Sequence, residues 1–358
     1  MSNFLAEKYN YLVPYVPGEQ PQDRKYIKLN TNESPFPPPE SVKKAVEERV
    51  DTARLYSDPD SNNLRQLMAE NYNVPIEYTV VSNGSDEIIN LAFMAFADEK
   101  NPLVFPDITY GFYKVVADLN RIPYSSVPLG DDLSVCADDY VGINKTIVIA
   151  NPNAPTGRYL ELSQVEKIVA SNPGNIVIID EAYIDFGGES AVQLVKKYNN
   201  LIVIGTFSKS RSLAGARLGF AFAAPDIIAD INKIRYSMNP YNVNCFTAAA
   251  GMAALKEKKY FDENCKTIKE NRAFLETELK KNGFEVIPSK TNFLFAKTDA
   301  VGGKELYLRL KEKGILVRHF DTERIKDYNR ITIGTVEQMR ILTEKIREVL
   351  EEKNNEKC

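Results

Sequence analysis

Lys209 is the side chain in this sequence that is best placed to act as an amine nucleophile. It follows the strand-like run Leu201 to Gly205 and lies among small and apolar residues. Apolar surroundings disfavour the charged form of a lysine and leave the neutral amine free to attack an aldehyde. A solvated surface lysine is the alternative, and the small apolar neighbours make it the weaker interpretation.

Asp180 ends the apolar run Ile176 to Ile179 and is a candidate partner for a buried cation. A carboxylate at the end of a buried strand is costly unless it is paired. A protonated pyridine nitrogen would be such a partner, and the pairing would strengthen the ring as an electron sink. An aspartate that caps the next helix is the alternative, and on this segment alone the two are equally supported.

A third signal is the run from Ser82 to Asp86, which joins a strand pattern to the apolar helix pattern Glu87 to Phe96. Its glycine allows close backbone approach, and the free N–H groups of a helix start bind phosphate. Arg217 and the Ser208 hydroxyl could contact the same phosphate. Alone, the run is more typical of a plain helix N-cap. With Lys209 and Asp180, these residues specify a cofactor that carries a phosphate, a pyridine nitrogen and an aldehyde.

These side chains need a buried sheet to bring them together. The strand candidates are Thr79 to Ser82, Pro102 to Phe105, Thr146 to Ala150, Ile176 to Ile179, Leu201 to Gly205 and Leu218 to Ala223. They alternate with helical patterns, one of them opened by a capping box at Ser163 to Glu166, which predicts an α/β domain with a mostly parallel sheet. In such sheets ligands lie beyond the carboxyl ends of the strands, where the four polar signals fall. The fourth, Ala150 to Gly157, is by itself only a turn-rich loop.

The chain divides into three parts by pattern. Residues 1–40, rich in Pro, Asn and Tyr, predict an arm that packs with a small domain; residues 41–244 predict the large domain; residues 245–358 predict a smaller α+β domain. The last part contains a long helical region from Phe246 to Asn282 and a final helix from Val336 to Glu351, followed by a charged tail that we expect to fray.

Composition excludes several classes of function. The net charge is -4 and the basic residues are dispersed, which argues against nucleic-acid binding. No stretch approaches the roughly 20 apolar residues that span a bilayer, and no signal peptide is visible, so a cytoplasmic location is predicted. The single histidine, His319, excludes a His-rich metal site, and we expect it to be half-exposed. The four cysteines form no CxxC and are expected to be reduced thiols, so no metal is predicted.

Several motifs occur in order along nearly the whole chain: Leu29 to Pro35, Tyr56 to Pro59, Asn83 to Glu87, Asn151 to Gly157, Asp180 to Tyr183, Ser208 and Lys209 with Arg217, and Asn329 to Thr335. In these motifs the chain resembles the fold-type I, class I/II aminotransferases, which use pyridoxal 5'-phosphate (PLP). More narrowly, it is similar to histidinol-phosphate aminotransferases. The resemblance implies the PLP-dependent transferase fold, with a large mixed, mostly parallel sheet between helices and a smaller α+β domain.

The resemblance also implies catalytic and cofactor-binding roles. Lys209 would hold PLP as a Schiff base and shuttle a proton, Asp180 would pair with the pyridine nitrogen, and Tyr183 would bond the phenolic oxygen. Tyr110 would stack on the ring. The phosphate would be held by Gly84, Ser85, Asp86, Ser208 and Arg217. Tyr56 would reach the phosphate of the neighbouring subunit, which implies a homodimer.

One position departs from the family pattern. The family usually has Asn immediately before Pro-Thr-Gly, where it contacts the phenolic oxygen of the cofactor, and here that position is Ala154. The preceding residue, Asn153, is the replacement that we expect.

The substrate must be chosen by groups outside the cofactor site. Arg330 is the predicted anion clamp and Arg318 a second one, while Tyr15 and Asn32 of the arm are expected to close over the ligand. Two arginines favour a phosphate, and with the resemblance they predict amino transfer from histidinol phosphate to 2-oxoglutarate in histidine biosynthesis. The alternatives are an aromatic amino-acid aminotransferase, a PLP-dependent decarboxylase of an amino-acid phosphate, and a non-catalytic PLP-binding regulator. The last is disfavoured because no DNA-binding segment precedes residue 40.

Overall fold

The computed structural model describes residue 2 and residues 4–356. The strands are β1 (Ile27–Lys28), β2 (Thr79–Ser82), β3 (Leu103–Pro106), β4 (Tyr124–Val127), β5 (Thr146–Ala150), β6 (Val177–Asp180), β7 (Leu201–Thr206), β8 (Gly219–Ala223), β9 (Glu285–Ile287), β10 (Phe293–Lys297), β11 (Ile315–Leu316), β12 (Arg318–His319) and β13 (Asn329–Thr332). The α-helices are α1 (Glu40–Glu47), α2 (Asn62–Tyr72), α3 (Ser85–Phe96), α4 (Phe112–Asn120), α5 (Leu162–Ser171), α6 (Pro225–Met238), α7 (Cys245–Lys256), α8 (Lys258–Lys281), α9 (Gly303–Glu312) and α10 (Val336–Glu356).

Seven strands form the large sheet, in the order β2-β8-β7-β6-β5-β3-β4. Strand β8 runs antiparallel to both of its neighbours, whereas β7, β6, β5, β3 and β4 are mutually parallel. Successive residues of the central strands enter two different hydrophobic clusters: Ile147 and Ile149 pack on one face, Val148 and Ala150 on the other. A sheet buried on both faces needs nearly continuous apolar strands, as these are. The predicted α/β class is confirmed.

A second, antiparallel sheet has the order β12-β13-β10-β9 and shares a hydrophobic core with α8, α9 and α10. The N-terminal arm joins this part through β1, since Ile27 pairs with Ile315 and Lys28 with Leu316 in parallel register. Strands β11 and β12 were expected as one strand, but Val317 separates them and they belong to different sheets. The predicted domain boundaries at residues 40 and 244 stay a prediction.

Three further details differ from the sequence-based expectations. The long helical region is divided at Glu257, where ψ is 37° and the backbone leaves the helical conformation between α7 and α8. The capping box at Ser163 is wrong, because α5 already begins at Leu162. The charged tail does not fray at Glu351: α10 continues to Glu356, whose carboxylate pairs with Arg309 at 2.7 Å.

His319 is less exposed than expected. Its side chain is 7% exposed because the ring stacks on Tyr307, with 6.1 Å between the centroids. In the described part of the chain, no helix is both long enough and apolar enough to cross a bilayer.

Candidate active site

The candidate site lies at one edge of the large sheet, where β6 and β7 end. Asp180 is the last residue of β6, and Lys209 follows β7 by three residues. Strand β8 returns along β7, so Arg217 lies beside the end of β7, and Gly84 follows β2 on the far side of β8. Carboxyl ends of parallel strands meet at one edge, which brings residues far apart in sequence together.

Asp180 is a carboxyl group that is buried without a cationic partner. The residue is 4% exposed, and its carboxylate accepts hydrogen bonds from the Tyr113 hydroxyl at 2.7 Å and from the Ala182 backbone N–H at 3.2 Å. Burial raises the pKa of Asp180 to about 6, against the lowering effect of these two donors. An adjacent cation would favour its charged form, so the site fits a protonated ring nitrogen.

Lys209 is half-buried and carries an amine with few partners. Among the described residues, its Nζ has one hydrogen-bond acceptor, the Thr31 carbonyl oxygen at 3.3 Å. The same atom lies 5.7 Å from the centroid of the Tyr183 ring. A lysine with no carboxylate bound to it keeps its nitrogen available for a ligand.

The predicted phosphate site has the features of an anion cradle. Helix α3 begins after Gly84, which has a φ of +81° and no side chain to cap the first N–H groups. A Cβ on Gly84 would lie 2.5 Å from Nη2 of Arg217, and a Cβ on Gly219 would clash with the Gly84 backbone. The two glycines therefore let backbone and guanidinium approach closely. Uncapped N–H groups at a helix start beside an arginine suit a phosphate.

Asp86 and Ser208 complete this cradle. Arg217 pairs with the Asp86 carboxylate at 2.9 Å, and the other Asp86 oxygen accepts a hydrogen bond from the Tyr110 hydroxyl at 3.0 Å. Burial and the nearby Asp86 charge raise the pKa of Tyr110, which keeps its hydroxyl protonated. The Ser208 hydroxyl is 3.0 Å from the Thr206 hydroxyl at the end of β7. The structure thus brings the predicted phosphate ligands together around α3.

Tyr183 and Asn32 meet although 151 positions separate them in the chain. The Asn32 amide donates a hydrogen bond to the Tyr183 hydroxyl at 2.9 Å, and the Asn32 side-chain oxygen accepts one from Thr332, also at 2.9 Å. Both ends of the amide are thus engaged within the protein. One amide hydrogen remains, so a direct contact between Asn32 and substrate stays a prediction.

Asn153 does not point freely into the site. Its amide nitrogen donates to the Ile108 carbonyl oxygen at 3.0 Å and to the Thr156 hydroxyl at 2.9 Å, and its oxygen accepts from Thr109 at 2.9 Å. These bonds hold two loops of the site together. The neighbouring Ala154 is buried in an apolar cluster with Tyr183. The expected substitution of Asn153 for the usual asparagine is therefore poorly supported by the geometry.

Arg330 and Arg318 face each other on neighbouring strands. They are directly opposed in the antiparallel pair β12 and β13, where side chains of opposed residues share one face of the sheet. Arg330 donates to the Asn30 carbonyl oxygen at 2.9 Å, but its buried Nε has no partner among the described residues. Burial lowers the pKa of Arg330, and the Arg318 charge lowers it further. Two opposed cations that lack a carboxylate partner form a site for an anion.

Tyr15 lies between the arginines and the cofactor side of the site. Its ring meets Tyr110 edge-on, with 6.0 Å between centroids. Burial raises the pKa of Tyr15, and the charges of Arg330 and Arg318 oppose that rise. Backbone carbonyls of the following residues, Val16 and Pro17, lie 3.4 Å from the Arg318 guanidinium. The arm therefore borders the anion site, as predicted.

Tyr56 is the predicted residue that lies apart from the others. Its side chain is 83% exposed and stacks on Tyr241, with 4.5 Å between the ring centroids. An exposed aromatic pair of this kind is available to contact another protein chain.

Sequence reasoning missed two groups at the site. Tyr113 donates to Asp180 from α4, and Glu181 is buried beside Asp180, where it accepts from the Ser190 hydroxyl and from the Ala191 N–H. Burial raises the pKa of Glu181 to about 8. The polar position in the otherwise apolar helix pattern after Gly111 was the signal for Tyr113. For Glu181, the signal was a second carboxylate at a buried strand end.

Asp180 leads to a prediction about stability. Because its pKa is raised to about 6, folding the cofactor-free protein costs about 3 kcal/mol more above pH 6 than below pH 4, where the group is protonated in both states. We expect Asp180→Asn to raise the free energy of unfolding of the cofactor-free protein by about 2 kcal/mol at pH 8. At pH 4.5 the gain should be small. Denaturant unfolding at both pH values measures the difference.

The matched control is Asp299→Asn, which changes an exposed carboxylate and should give the same effect at both pH values. If Asp180→Asn destabilised the cofactor-free protein more at pH 8 than at pH 4.5, Asp180 would not be a buried carboxylate in need of a cation.

Comparison with known proteins supplies independent information. The sequence matches the profile of the family described as aminotransferase class I and II over residues 24–346. A curated histidinol-phosphate aminotransferase of Brachyspira hyodysenteriae is 47% identical over 352 residues, which cover 98% of this chain and 99% of that protein.

Two solved structures show the same fold at lower identity. The histidinol-phosphate aminotransferase of Sinorhizobium meliloti, in complex with pyridoxal-5'-phosphate, has a TM-score of 0.85 at 24% identity and covers 92% of each chain. An L-threonine-O-3-phosphate decarboxylase of Porphyromonas gingivalis has a TM-score of 0.81 at 22% identity, over 91% of this chain and 99% of that one. The fold alone therefore does not separate amino transfer from decarboxylation.

Proposed function

This chain belongs to the class I and II aminotransferases, and we propose that it transfers the amino group of histidinol phosphate to 2-oxoglutarate with PLP as cofactor. Membership confirms the predicted fold and the predicted enzyme class. The observation that carries the choice of substrate is the opposed pair Arg330 and Arg318, which suits a phosphate dianion. The relative from Brachyspira supports the same substrate.

The residues of the site fit PLP. Lys209 would hold the cofactor covalently through Nζ, Asp180 would keep the ring nitrogen protonated, and Tyr183 would donate to the phenolic oxygen. The cradle of Gly84, Ser85, Asp86, Ser208 and Arg217 would hold the phosphate, with Tyr110 against the ring. When bound, PLP supplies an electron-withdrawing ring that takes up the charge left when the substrate α-carbon loses a proton.

Lys209 has the further role of moving that proton. Once substrate displaces it, its Nζ is a free amine within the site, and such an amine serves as a general base and then as a general acid. Asp180 supports the step by holding a positive charge close to where electrons accumulate. Tyr15 and the arm limit access of water from the side of the arginines.

The arginines explain how two different substrates can share the site. Arg330 and Arg318 would bind the phosphate of histidinol phosphate in the first half of the reaction. In the second half, Arg330 would bind a carboxylate of 2-oxoglutarate, because carboxylate and phosphate offer similar oxygen pairs to a guanidinium.

Absorbance changes of the bound cofactor with three amines distinguish the proposal from its competitors. Histidinol phosphate should convert the cofactor rapidly, while phenylalanine and threonine phosphate should react slowly. Formation of a ketone and of glutamate from 2-oxoglutarate identifies amino transfer; release of CO₂ from threonine phosphate would instead identify a decarboxylase. Preferential conversion by phenylalanine would indicate an aromatic aminotransferase. The cytoplasmic location stays a prediction.

We propose that the enzyme is a homodimer in which Tyr56 of one subunit contacts the cofactor phosphate of the other. The exposure of Tyr56 supports this assignment. We expect Tyr56→Phe to weaken PLP binding about tenfold, the effect of losing one hydrogen bond to a charged group. Equilibrium dialysis or fluorescence titration with PLP measures this loss.

A mixed dimer tests whether Tyr56 acts across the interface. One subunit carries Tyr56→Phe and the other carries Lys209→Ala, and the two are purified through different tags. If Tyr56 acts on its partner, one site has both intact residues, and at limiting PLP the dimer should show about half of the normal activity. If Tyr56 acts within its own chain, no site is intact, and activity should stay at the level of the Tyr56→Phe homodimer.

A further inference from the structure

Three consecutive residues of the arm contact three functional side chains, and we call them the Asn30–Asn32 segment. The Asn30 carbonyl oxygen accepts a hydrogen bond from Arg330 at 2.9 Å, and the Thr31 carbonyl oxygen accepts one from Lys209 at 3.3 Å. The Asn32 amide donates to the Tyr183 hydroxyl at 2.9 Å. One short segment thus joins the anion clamp, the lysine and the tyrosine.

Asn32 is held rigidly in this position. It is 1% exposed, and its backbone has a φ of +56°. The Thr332 hydroxyl accepts from the Asn32 backbone N–H at 3.0 Å and donates to the Asn32 side-chain oxygen at 2.9 Å. The Asn292 amide donates to the Asn32 carbonyl oxygen at 2.9 Å. Because the hydroxyl hydrogen of Thr332 goes to the side-chain oxygen, the amide nitrogen of Asn32 must be the atom that faces Tyr183.

This orientation determines what the Tyr183 hydroxyl can do. The oxygen accepts from Asn32, so its own hydrogen must be donated to another group. Among the described residues, no acceptor for that hydrogen is present, although Tyr183 is only 9% exposed. A buried hydroxyl without an acceptor is unfavourable, which indicates that the acceptor belongs to a ligand.

The neighbouring residues do not offer an equivalent donor. Ala154 packs beside Tyr183 and has no polar side-chain atom, while both amide hydrogens of Asn153 are bound to Ile108 and Thr156. Tyr183 is therefore the donor on which the phenolic oxygen of the cofactor depends in this chain, and Asn32 is the group that directs it.

We propose that Asn32 is a positioning residue for amino transfer: it orients and polarises the Tyr183 hydroxyl as a donor to the cofactor's phenolic oxygen, and links that donor to the substrate clamp through Thr332. Thr332 lies in β13, two residues from Arg330. Hydrogen bonds in a chain strengthen one another, so the bond from Asn32 makes the tyrosine a better donor. The inference rests on the proposed function and deepens it.

The test is a double-mutant cycle with the visible absorbance of the bound cofactor as readout. A donor to the phenolic oxygen favours its ionised form, so weaker donation raises the pH at which the absorbance changes. We expect Asn32→Ala to raise this midpoint by about half a unit to one unit, and Tyr183→Phe to raise it at least as much. In the Tyr183→Phe background, Asn32→Ala should cause no further shift, because its effect passes through the tyrosine hydroxyl.

A second variant and a control guard against simple loss of folding. Asn32→Asp keeps the shape but offers an acceptor to Tyr183, so its hydroxyl turns away from the cofactor and the midpoint should also rise. Asn271→Ala removes another buried amide, which donates to the Gly334 carbonyl oxygen at 3.0 Å, and should leave the midpoint unchanged. Ala154→Asn adds a donor and should lower the midpoint.

Two results would overturn the inference: an unchanged midpoint in both Asn32 variants, or a shift by Asn32→Ala that persists fully in the Tyr183→Phe background. Either result leaves the proposed function intact if the unmodified protein binds PLP and converts histidinol phosphate. Failure of the unmodified protein to give any Lys209-dependent visible absorbance would reject the proposed function, and the inference with it.

Discussion

Replacing Lys209 with alanine is expected to slow amino transfer at least about 10⁴-fold and to abolish the pH-dependent visible absorbance of the bound cofactor. A positioned general base alone contributes up to about this factor, and here the same amine also holds the cofactor. No other lysine takes its place in the contacts of the described residues with Thr31 and Tyr183. Single-turnover kinetics with histidinol phosphate and absorbance spectra measure the two effects.

Two comparisons make the Lys209 result specific. Lys197→Ala removes an exposed lysine that pairs with Glu166 at 2.6 Å, and it should retain normal activity and a normal spectrum. Reduction with borohydride followed by mass analysis should attach the cofactor to the peptide of Lys209 in the unmodified protein. A Lys209→Ala protein that converts substrate at the normal single-turnover rate would refute the assignment.

Arg330→Gln is expected to lower kcat/KM for histidinol phosphate by about 10²–10³, the effect of truncating one side of a buried, charge-assisted pair. For histidinol, which lacks the phosphate, the decrease should be much smaller. The ratio of the two kcat/KM values therefore reports the clamp itself. An equal loss with both amines would mean that the substitution damages the site generally and that Arg330 does not bind the phosphate.

Stability should move in the opposite direction in this variant. Arg330 has a buried Nε without an acceptor and opposes Arg318 across the strand pair, so the ligand-free protein gains no ion pair from it. We expect Arg330→Gln to be at least as stable as the unmodified protein in thermal unfolding, a stability cost that the functional residue imposes. Arg347→Gln, which removes an exposed arginine paired with Glu278, is the matched control for charge.

The large sheet could be predicted closely from the sequence because its signal is local. Thr79 to Ser82 and Thr146 to Ala150 are strands with the predicted bounds, since β-branched and apolar runs of this length are buried on both faces. Strand β4 was missed because its residues, from Tyr124 to Val127, include two serines and lie at the sheet edge, where burial does not demand apolar side chains. The break between α7 and α8 has no glycine or proline to announce it.

The site was predictable in its residue types and not in its partners. Lys209, Asp180 and Arg217 stand at strand ends, and a strand end is visible in the sequence. The opposition of Arg318 and Arg330 depends on strand register, and the contact of Asn32 with Tyr183 spans 151 positions. Such contacts follow from the packing of whole elements, which no local pattern encodes. For the same reason Asn153 appeared free in the sequence, although the structure uses its amide to hold two loops.

The antiparallel strand β8 has a consequence for how the site can vary. Because β8 returns directly along β7, the amine of Lys209 and the guanidinium of Arg217 come from the two ends of a single loop. A ligand that both groups grip has a fixed length between its reactive carbon and its phosphate. The loop therefore acts as a ruler cut to the length of one molecule, and insertions that other surface loops tolerate would here change the molecule that fits.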